Sequence, residues 1–563
     1  MTKQLSSFMW MAFSLVLVAF GQPAWFWWSG LVAAFAGYAF FWKALLSFST
    51  PFSRFCISSS WFACVQMIQL SWVTSHPYLY IYLFLYITSL LLGLQWGALS
   101  LLVTYESLKN WSNLFAIAAC WTLLEWLRLF ILSGFPFNPV GLALTGSIYS
   151  MQLASIGGVY FLSYWVIITN LFVLKAWLKN KKEWLIIAFT IAALPYLFGF
   201  FHLRWHNHLA SQSPKYIETL LVQTAFPVEE KICFANFDQI SQFLIGQWKK
   251  IFTLLAPYQL ASIELVVLPE NLVPYGTYLL VFPYEQAVQI WEDFFGFASA
   301  RYLPPLQPPF ADLMKVGGEE RWYVNNGYFS QALANLFHAH LVIGLEDQLF
   351  ENNKIVQSYS AALHFQPRKK DKPVEVNRYE KRVLVPMGEY IPFKWCQMWA
   401  AKYGVSGSFS SGKSARIFNG PVPLGPSICY EEIFGHLMRE NRLKGAELFI
   451  NLTNDGWYPF SKLPKQHFDH SRLRAVENGI PLVRACNTGV TSVIDSLGQI
   501  VAVWGEEKDF SYEKAGLLKA SVPTYHFSTL YTYWGDHFII TLISCSFFYF
   551  FLKMLYGILW IKK

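Results

Sequence analysis

Residues 158–201 read GVYFLSYWVIITNLFVLKAWLKNKKEWLIIAFTIAALPYLFGFF, two long apolar stretches joined by a short basic turn. A helix that crosses a bilayer needs about 20 mostly apolar residues, and both stretches meet that length. The same pattern along the chain predicts a polytopic α-helical membrane bundle of eight spans, seven of them before residue 203. The predicted spans are 5–22, 24–46, 55–72, 78–103, 114–132, 158–178, 184–202 and 538–560.

The composition agrees with a membrane protein. Of the 563 residues, 54% are hydrophobic and 14% are charged, whereas soluble domains average about 25% charged residues. Residues 1–202 contain only 12 charged side chains, too few for the surface of a soluble domain. The net charge of +8 lies on the apolar ends, because residues 203–535 are neutral overall. This distribution excludes a disordered chain and offers no basic patch for nucleic acid.

The basic residues predict the orientation of the spans. Most of them fall in loops on one side of the membrane if the N-terminus is cytoplasmic, as the positive-inside rule requires. Residues 203–535 then lie on the outer face, and the last span returns the C-terminus to the cytoplasm. The sequence therefore predicts a membrane domain at 1–202, an outer domain at 203–535 and a C-terminal span at 536–563.

Glu125 and Arg128 are unusual because they are charged residues within a predicted span. Their spacing of three residues places them on one helix face, where they can pair. Charged groups at this depth often serve a function. A structural ion pair at the outer interface explains the two residues more simply, and we favour that interpretation.

The outer section has the pattern of an α/β domain, because short β-branched runs alternate with helical stretches. A helix predicted at 464–479 carries Arg472, Arg474 and Glu477 on its polar side. An aromatic insertion at 276–325, which includes Trp291, is compatible with a lid or with a segment that touches the membrane. The predicted buried strands are 217–223, 263–268, 341–345, 446–451, 482–487 and 491–495.

Two motifs suggest a chemistry that their context does not support. Residues 407–414, GSFSSGKS, match a phosphate-binding loop, but that loop needs an apolar strand before it and a helix after it. Residues 419–421, Asn-Gly-Pro, interrupt any following helix. His467 and His470 have the spacing of a metal pair without a third ligand nearby. We therefore expect a Ser/Gly loop at the first motif and no metal at the second.

Three other residues combine into a plausible catalytic site. Glu270 and Cys429 each follow an apolar strand, and Lys381 precedes an apolar run. A cysteine nucleophile needs a base and a group that stabilises an oxyanion, roles suited to Glu270 and Lys381. Each residue also has an ordinary structural explanation, as a strand cap, a surface charge and a small buried side chain. Spacing alone does not decide between these interpretations.

A resemblance to known proteins favours the catalytic interpretation. Glu270, Lys381 and Cys429, in this order, resemble the Glu-Lys-Cys triad of the nitrilase superfamily. The pattern Lys-x-x-Leu-Val-Pro-x-Gly-Glu at 381–389 is narrower and resembles the apolipoprotein N-acyltransferase family. Further segments match that family across nearly the whole chain, namely 125–128, 134–136, 429–431, 454–457, 466–467, 472–475 and 487–491.

The resemblance implies a nitrilase-like α/β/β/α sandwich joined to a membrane bundle. It also implies an acyltransferase that works through an acyl-thioester on Cys429, with Glu270 as base and Lys381 holding the oxyanion. The acyl donor would be a membrane phospholipid, and the acceptor would be the α-amino group of the lipid-modified N-terminal cysteine of a diacylated apolipoprotein. Supporting residues carried over from the family are Glu389, Tyr430 and Glu431.

The same resemblance implies a monomer in the bacterial inner membrane, with the catalytic domain on the periplasmic side and both termini in the cytoplasm. It implies no metal and no soluble cofactor. The chain departs from the family pattern at Ala225 and Ile232, where the family usually has Asn and Trp, and at Ser360, where it has Asn. Lys381 also lies 111 positions after Glu270, a longer separation than the family usually has, and we place the extra length in 276–325.

Two other functions remain open from the sequence. A membrane-tethered amidase of the nitrilase superfamily would use the same triad, with water in place of the amine. A transporter or receptor whose outer domain only binds would account for Glu125 and Arg128, but it would leave the triad unexplained.

Overall fold

The computed structural model describes residues 2–228, 236–351, 354–368, 376–393, 398, 409–504 and 513–561. The chain forms two compact units. The first comprises Met1–Ser213, Tyr458–Gly479 and Phe527–Lys563, and the second comprises Pro214–Trp457 and Ile480–His526. The predicted domain limits at 202 and 535 stay a prediction.

The first unit is helical. Its α-helices are Thr2–Ala19, Trp27–Val32, Tyr38–Leu45, Pro51–Gln69, Tyr80–Ser100, Trp111–Leu127, Ile148–Met151, Ala154–Lys179, Lys182–Gln212, Leu463–Asn478 and Leu530–Ile561. Within the described residues, five segments are long and apolar enough to cross a membrane, namely Tyr80–Ser100, Trp111–Phe130, Ala154–Lys179, Lys182–Gln212 and Leu530–Leu555. The protein is therefore integral to the membrane, whereas the predicted count of eight spans is not confirmed.

A π-helix at Ala33–Gly37 interrupts one of the predicted spans. A π-helix leaves backbone groups without their usual partners, which is costly in an apolar environment. The buried side chain of Asn170 satisfies them. Its Oδ1 accepts hydrogen bonds from the N–H groups of Tyr38 and Ala39 at 3.0 and 3.1 Å, and its Nδ2 donates to the carbonyl of Ala34 at 2.7 Å.

Glu125 and Arg128 are both buried in the first unit. Arg128 Nη2 lies 4.0 Å from Glu125 Oε1. The same carboxylate oxygen accepts hydrogen bonds from the Trp121 indole at 3.1 Å and from the Val140 N–H at 3.0 Å. The carboxylate thus ties its own helix to the chain that follows it, which supports a structural role for the pair.

The helix predicted at 464–479 is present as Leu463–Asn478, but it belongs to the first unit. Arg474 and Glu477 are fully buried, so the expected polar face is not a solvent face. Glu477 Oε1 accepts hydrogen bonds from the Val159 N–H and from Arg474 Nη2, both at 2.9 Å. The Val159 amide follows a break in a long helix at Gly158, whose φ of 69° strongly favours glycine.

The second unit contains the strands, which we number in chain order. They are β1 Tyr216–Gln223, β2 Leu265–Val267, β3 Phe282–Pro283, β4 Ala311–Val316, β5 Glu319–Val324, β6 His340–Glu351, β7 Lys354–Phe365, β8 Val376–Glu380, β9 Phe418–Asn419, β10 Pro423–Ile428, β11 Leu448–Thr453, β12 Leu482–Cys486, β13 Ser492–Ile494, β14 Ile500–Val503 and β15 Gly516–Pro523. All six runs predicted as buried strands are confirmed.

Two six-stranded sheets form the centre of this unit, in the orders β15-β1-β2-β6-β7-β8 and β14-β13-β12-β11-β10-β9. Apolar side chains of both sheets share one buried cluster, so the sheets pack face to face. Three helices cover the outer face of the first sheet, Phe237–Leu255, Tyr284–Phe295 and Asn326–Phe337, and Gly435–Leu443 packs on β10. This is the predicted α/β/β/α sandwich.

The insertion at 276–325 packs into the second unit. Its strands β3, β5 and β4 form a small sheet, and its helix joins the core of the first large sheet. Trp291 is fully buried, with its ring centroid 5.6 Å from that of Phe252 and 4.5 Å from that of Phe295. The interpretation of Trp291 as a membrane-facing residue is therefore wrong, because its apolar area is buried within the domain itself.

The contacts of Glu477 generate a stability prediction. Replacing Glu477 with Leu should lower the free energy of unfolding by about 3 kcal/mol or more, because it removes the charged acceptor that Glu477 supplies to the buried Val159 N–H and to the buried Arg474 guanidinium. Glu477→Gln should cost less, since its amide oxygen still accepts from Val159. Thermal unfolding of the full chain in detergent measures both. The exposed Glu183→Leu is the control, and equal effects at the two positions would contradict the account.

Candidate active site

Parallel strands bring the proposed residues of the site to strand ends. In the first sheet, β1, β2 and β6 are parallel, and in the second sheet, β10, β11 and β12 are parallel. Glu270 follows β2, Cys429 follows β10 directly, and Lys381 follows β8. The carboxyl ends of such strands are a usual location for functional groups. The structure brings these three side chains together.

Lys381 lies between two carboxylates. Its Nζ is 2.9 Å from Glu270 Oε1 and 2.6 Å from Glu389 Oε1, and the lysine is only 1% exposed. Burial alone would lower the pKa of Lys381, but Glu270 and Glu389 more than offset it and hold this pKa well above its usual value. The ammonium is therefore charged at neutral pH and available to stabilise a developing negative charge.

Glu270 is the base candidate of this group. Burial raises the pKa of its carboxyl group, the Lys381 ammonium opposes that rise, and Glu389 adds to it. The Cys429 thiol donates a hydrogen bond to the Glu270 carboxylate. A carboxylate with a raised pKa, in direct contact with the thiol, is well placed to accept its proton.

Cys429 lies at a sharp turn between β10 and the 3-10 helix Cys429–Ile433. Its φ of 49° is in the left-handed region, which is strained for a residue with a side chain. Burial and the Glu270 carboxylate raise the pKa of the Cys429 thiol well above its usual value, and Lys381 opposes them. The resting thiol is therefore neutral, and it needs a base when it reacts.

Glu431 holds this turn to residues 379–382, which we call the lysine segment. Its carboxylate accepts hydrogen bonds from the Tyr379 hydroxyl at 2.8 and 2.9 Å, from the Arg382 N–H at 2.6 Å and from the Ile428 N–H at 2.8 Å. The group is fully buried, and these contacts explain how it stays there. Tyr430, beside it, packs its ring edge-on against Phe434.

The next carboxylate, Glu432, was not singled out from the sequence. Arg484 on β12 lies 2.9 Å from Glu432 Oε1 and 3.8 Å from Asp455 Oδ2, measured from its Nη2. All three groups are buried. The signal that could have found them is an arginine inside an apolar strand, because such a charge requires a buried partner. Glu431 thus attaches the turn at Cys429 to the chain around Lys381, and Glu432 attaches it to Arg484 on β12.

Asn487 connects three loops at the strand ends of the second unit. It accepts hydrogen bonds from the Thr224 hydroxyl and the Phe226 N–H, both at 2.7 Å, and donates to Asn454 Oδ1 at 3.0 Å. Ala225 donates its N–H to the Asn487 carbonyl at 2.7 Å and has a φ of 49°. Asparagine tolerates that conformation better than alanine, which gives a physical reason for the family's preference.

The other predicted positions have varied outcomes. Ile232 lies outside the described residues. Ser360 is buried, and its carbonyl accepts a hydrogen bond from the Lys381 N–H at 2.9 Å. His467 and His470 are buried in the first unit. Across the described part of the chain, no three His, Cys, Asp or Glu side chains group as metal ligands would.

A sandwich of two sheets that carries Glu, Lys and Cys at its strand ends defines the carbon–nitrogen hydrolase class. The sequence model described as "Carbon-nitrogen hydrolase" matches residues 239–513, and that described as "Apolipoprotein N-acyltransferase N-terminal domain" matches residues 14–172. A carbon-nitrogen hydrolase from Helicobacter pylori G27 aligns over 55% of this chain and 89% of its own, with 17% identity and a TM-score of 0.32.

Relatives of full length make the assignment more specific. An apolipoprotein N-acyltransferase from Chlamydia pneumoniae is 32% identical over 549 residues, which cover 95% of each chain. One from Haemophilus ducreyi is 26% identical and covers 81% of this chain and 79% of its own. The chain therefore belongs to the apolipoprotein N-acyltransferase family.

The geometry of the triad predicts the effect of two substitutions. With Glu270 as the expected base and Lys381 as the expected oxyanion donor, Glu270→Gln and Lys381→Met should each lower turnover by about 100-fold or more. Turnover is measured as acyl transfer by the purified full chain in detergent. Lys413→Ala, an exposed residue of the GSFSSGKS motif, should leave turnover within a few-fold. Equal losses at Lys413 and Lys381 would reopen the nucleotide interpretation.

The buried ion pair predicts a loss of stability. Arg484→Met should lower the free energy of unfolding by about 3 kcal/mol or more, because it removes the Arg484 cation from two buried carboxylates. Adding Glu432→Gln removes one of those charges, so the double variant should be less destabilised than the sum of the singles. Thermal unfolding measures the cycle, with the exposed Arg321→Met as control. Strict additivity would show that the pair does not act as a unit.

Proposed function

We propose that this chain transfers a fatty acyl chain from a membrane phospholipid to the α-amino group of the diacylglyceryl-cysteine at the N-terminus of apolipoproteins. The observation that carries the proposal is the thiol of Cys429 in contact with Glu270, whose carboxylate also binds the Lys381 ammonium. This arrangement contains a nucleophile, a base and an oxyanion donor, which are the groups that acyl transfer needs.

The first half-reaction forms a thioester. Glu270 accepts the thiol proton as the sulfur of Cys429 attacks the ester carbonyl carbon of the phospholipid. The Lys381 ammonium stabilises the oxyanion of the tetrahedral intermediate. When the intermediate collapses, the ester C–O bond breaks and the leaving glycerol oxygen takes the proton from Glu270. A lysophospholipid departs and Cys429 retains the acyl chain.

The second half-reaction uses the amine as nucleophile. The neutral α-amino group attacks the thioester carbonyl, and Glu270 accepts a proton from the nitrogen. The oxyanion forms again beside Lys381. Collapse then breaks the C–S bond, the sulfur takes a proton back from Glu270, and an amide remains on the acceptor. No group is oxidised or reduced in either half-reaction.

The fixed charge of the site suits both steps. Lys381 is held by Glu270 and Glu389 together, so its ammonium stays in place while Glu270 gains and loses a proton. Glu389 is held in turn, because its second oxygen accepts a hydrogen bond from the Val385 N–H at 2.8 Å. A donor that is already oriented needs no rearrangement when the oxyanion forms.

We place the protein in the bacterial inner membrane as a monomer, with the second unit on the periplasmic side and both termini in the cytoplasm. Lys179, Lys181 and Lys182 lie at the junction of the helices Ala154–Lys179 and Lys182–Gln212, and they support this orientation through the positive-inside rule. Both proposed substrates are lipids of the bilayer. Tethering by helices on either side of the catalytic sequence keeps the enzyme at the membrane and raises the effective substrate concentration.

The proposal predicts a stable acyl-enzyme. With phospholipid alone, the peptide that contains Cys429 should gain the mass of a fatty acyl chain, and hydroxylamine should remove it. A diacylated lipopeptide should clear the adduct and gain an amide-linked chain. Cys429→Ser should abolish both events, because a hydroxyl is a far weaker nucleophile than a thiolate.

The same experiment separates the alternatives. An amidase would accumulate no lipid adduct and would release its product to water. An adduct on Cys486, the buried cysteine of β12, would contradict the assignment of the nucleophile. The matched control is Cys486→Ser, which should retain the adduct on Cys429.

A further inference from the structure

The GSFSSGKS motif contains a segment that contacts the site, although nothing in the proposed mechanism assigns it a role. Its described part begins at residue 409. We call residues 409–412 the 409–412 segment. They form no strand or helix, and the next element along the chain is the short strand β9. The helix that a phosphate-binding loop requires is therefore absent after this described part of the motif.

The 409–412 segment donates backbone hydrogen bonds to Lys381, to Glu389 and to strand β7. The Gly412 N–H donates to the Lys381 carbonyl at 2.8 Å, and the Phe409 N–H donates to the Glu389 carbonyl at 2.9 Å. The Ser410 N–H donates to the Ser358 carbonyl at 2.7 Å. Two of these acceptors are the backbone carbonyls of Lys381 and Glu389. The side chains of the same two residues form an ion pair of 2.6 Å in the site.

A side chain strengthens the same connection. Ser411 Oγ donates a hydrogen bond to the carbonyl of Arg382, the residue after the lysine. Further along, Lys444 Nζ donates to the Ala415 carbonyl at 3.0 Å, which holds the chain that leaves the segment. The 409–412 segment is thus held to the backbone of Lys381 and Arg382, and the chain that follows it is held by Lys444, the residue after the helix Gly435–Leu443.

Position 412 requires glycine because its backbone lies very close to Glu380, and not because of its backbone dihedral angles. A Cβ at this position would overlap the carbonyl oxygen of Glu380 and would lie 2.7 Å from the Glu380 Cβ. Glu380 is the last residue of β8 and directly precedes Lys381. Any side chain at residue 412 would therefore push the segment away from the backbone that carries the lysine.

We propose that the 409–412 segment is a positioning element for Lys381 and Glu389, and that Gly412 is its critical residue. The inference rests on the proposed function, because it assigns the segment to the same site. The glycine that makes the motif resemble a phosphate-binding loop serves here to let two backbones approach. The N–H groups of the segment donate to the protein's own backbone carbonyls and not to a nucleotide.

The test compares Gly412→Ala with two controls in the full-length protein. Gly246→Ala lies in the helix Phe237–Leu255, where an added Cβ meets nothing within 4 Å, and Lys413→Ala changes an exposed neighbour. We expect Gly412→Ala to lower kcat for acyl transfer by about tenfold or more, since small displacements of catalytic groups have effects of this size. The KM for phospholipid should stay within about twofold, as positioning of the lysine does not bind the lipid. Gly246→Ala should match the wild type, and Lys413→Ala should stay within a few-fold of it.

A second readout needs no acyl substrate. The rate of Cys429 alkylation by iodoacetamide is followed against pH, and displacement of the Lys381 ammonium should move the profile of Gly412→Ala to higher pH. A wild-type chain that forms no acyl adduct would refute the proposed function while leaving this readout valid. An alkylation profile and a kcat equal to those of Gly246→Ala would overturn the positioning role.

Folding of the variant is controlled separately. If Gly412→Ala does not accumulate as folded protein, Ser411→Ala decides, because Ser411 is exposed and loses only its side-chain hydrogen bonds to the carbonyls of Arg382 and Gly412. A reduced kcat with an unchanged unfolding temperature supports positioning. A kcat equal to the wild type in a folded Ser411→Ala, together with an unchanged alkylation profile, overturns it.

Discussion

The buried ammonium of Lys381, held by Glu270 and Glu389, is the interaction on which the site depends. A lysine that is 1% exposed would lose its charge without such partners. The two carboxylates keep it charged and fixed, while burial and the Glu270 carboxylate disfavour a thiolate at Cys429. The site therefore rests with a neutral thiol, and the proton of that thiol has to pass to Glu270 when the reaction begins.

The strands of the sandwich fix the backbone positions of the residues around Lys381. Three of the proposed residues follow strands, so their backbones are set by hydrogen-bonded sheets and not by loose loops. The strained turn at Cys429 is then held from two sides, by Glu431 towards the lysine segment and by Glu432 towards Arg484. Strain of this kind persists only when the surroundings determine it more than once.

The strands could be predicted because their signals are local, whereas the choice of Glu270, Lys381 and Cys429 needed the resemblance to the nitrilase triad, since spacing alone left their ordinary structural explanations open. An apolar run that ends in a reactive side chain can be recognised without knowing its neighbours. The burial of Glu477, the core position of Trp291 and the role of Gly412 could not be predicted, because each depends on a residue distant in the chain. Gly412 meets Glu380 only after folding, and the face that the Glu477 helix buries belongs to the helical unit.

The central claim is that Glu270 and Lys381 act on the Cys429 thiol in opposite senses, and the pH dependence of Cys429 alkylation tests it most directly. A nearby carboxylate raises the pKa of the thiol, and a nearby ammonium lowers it. Glu270→Gln should therefore move the alkylation profile to lower pH, and Lys381→Met should move it to higher pH. Shifts in the same direction, or a wild-type thiol that is already ionised at neutral pH, would contradict the account.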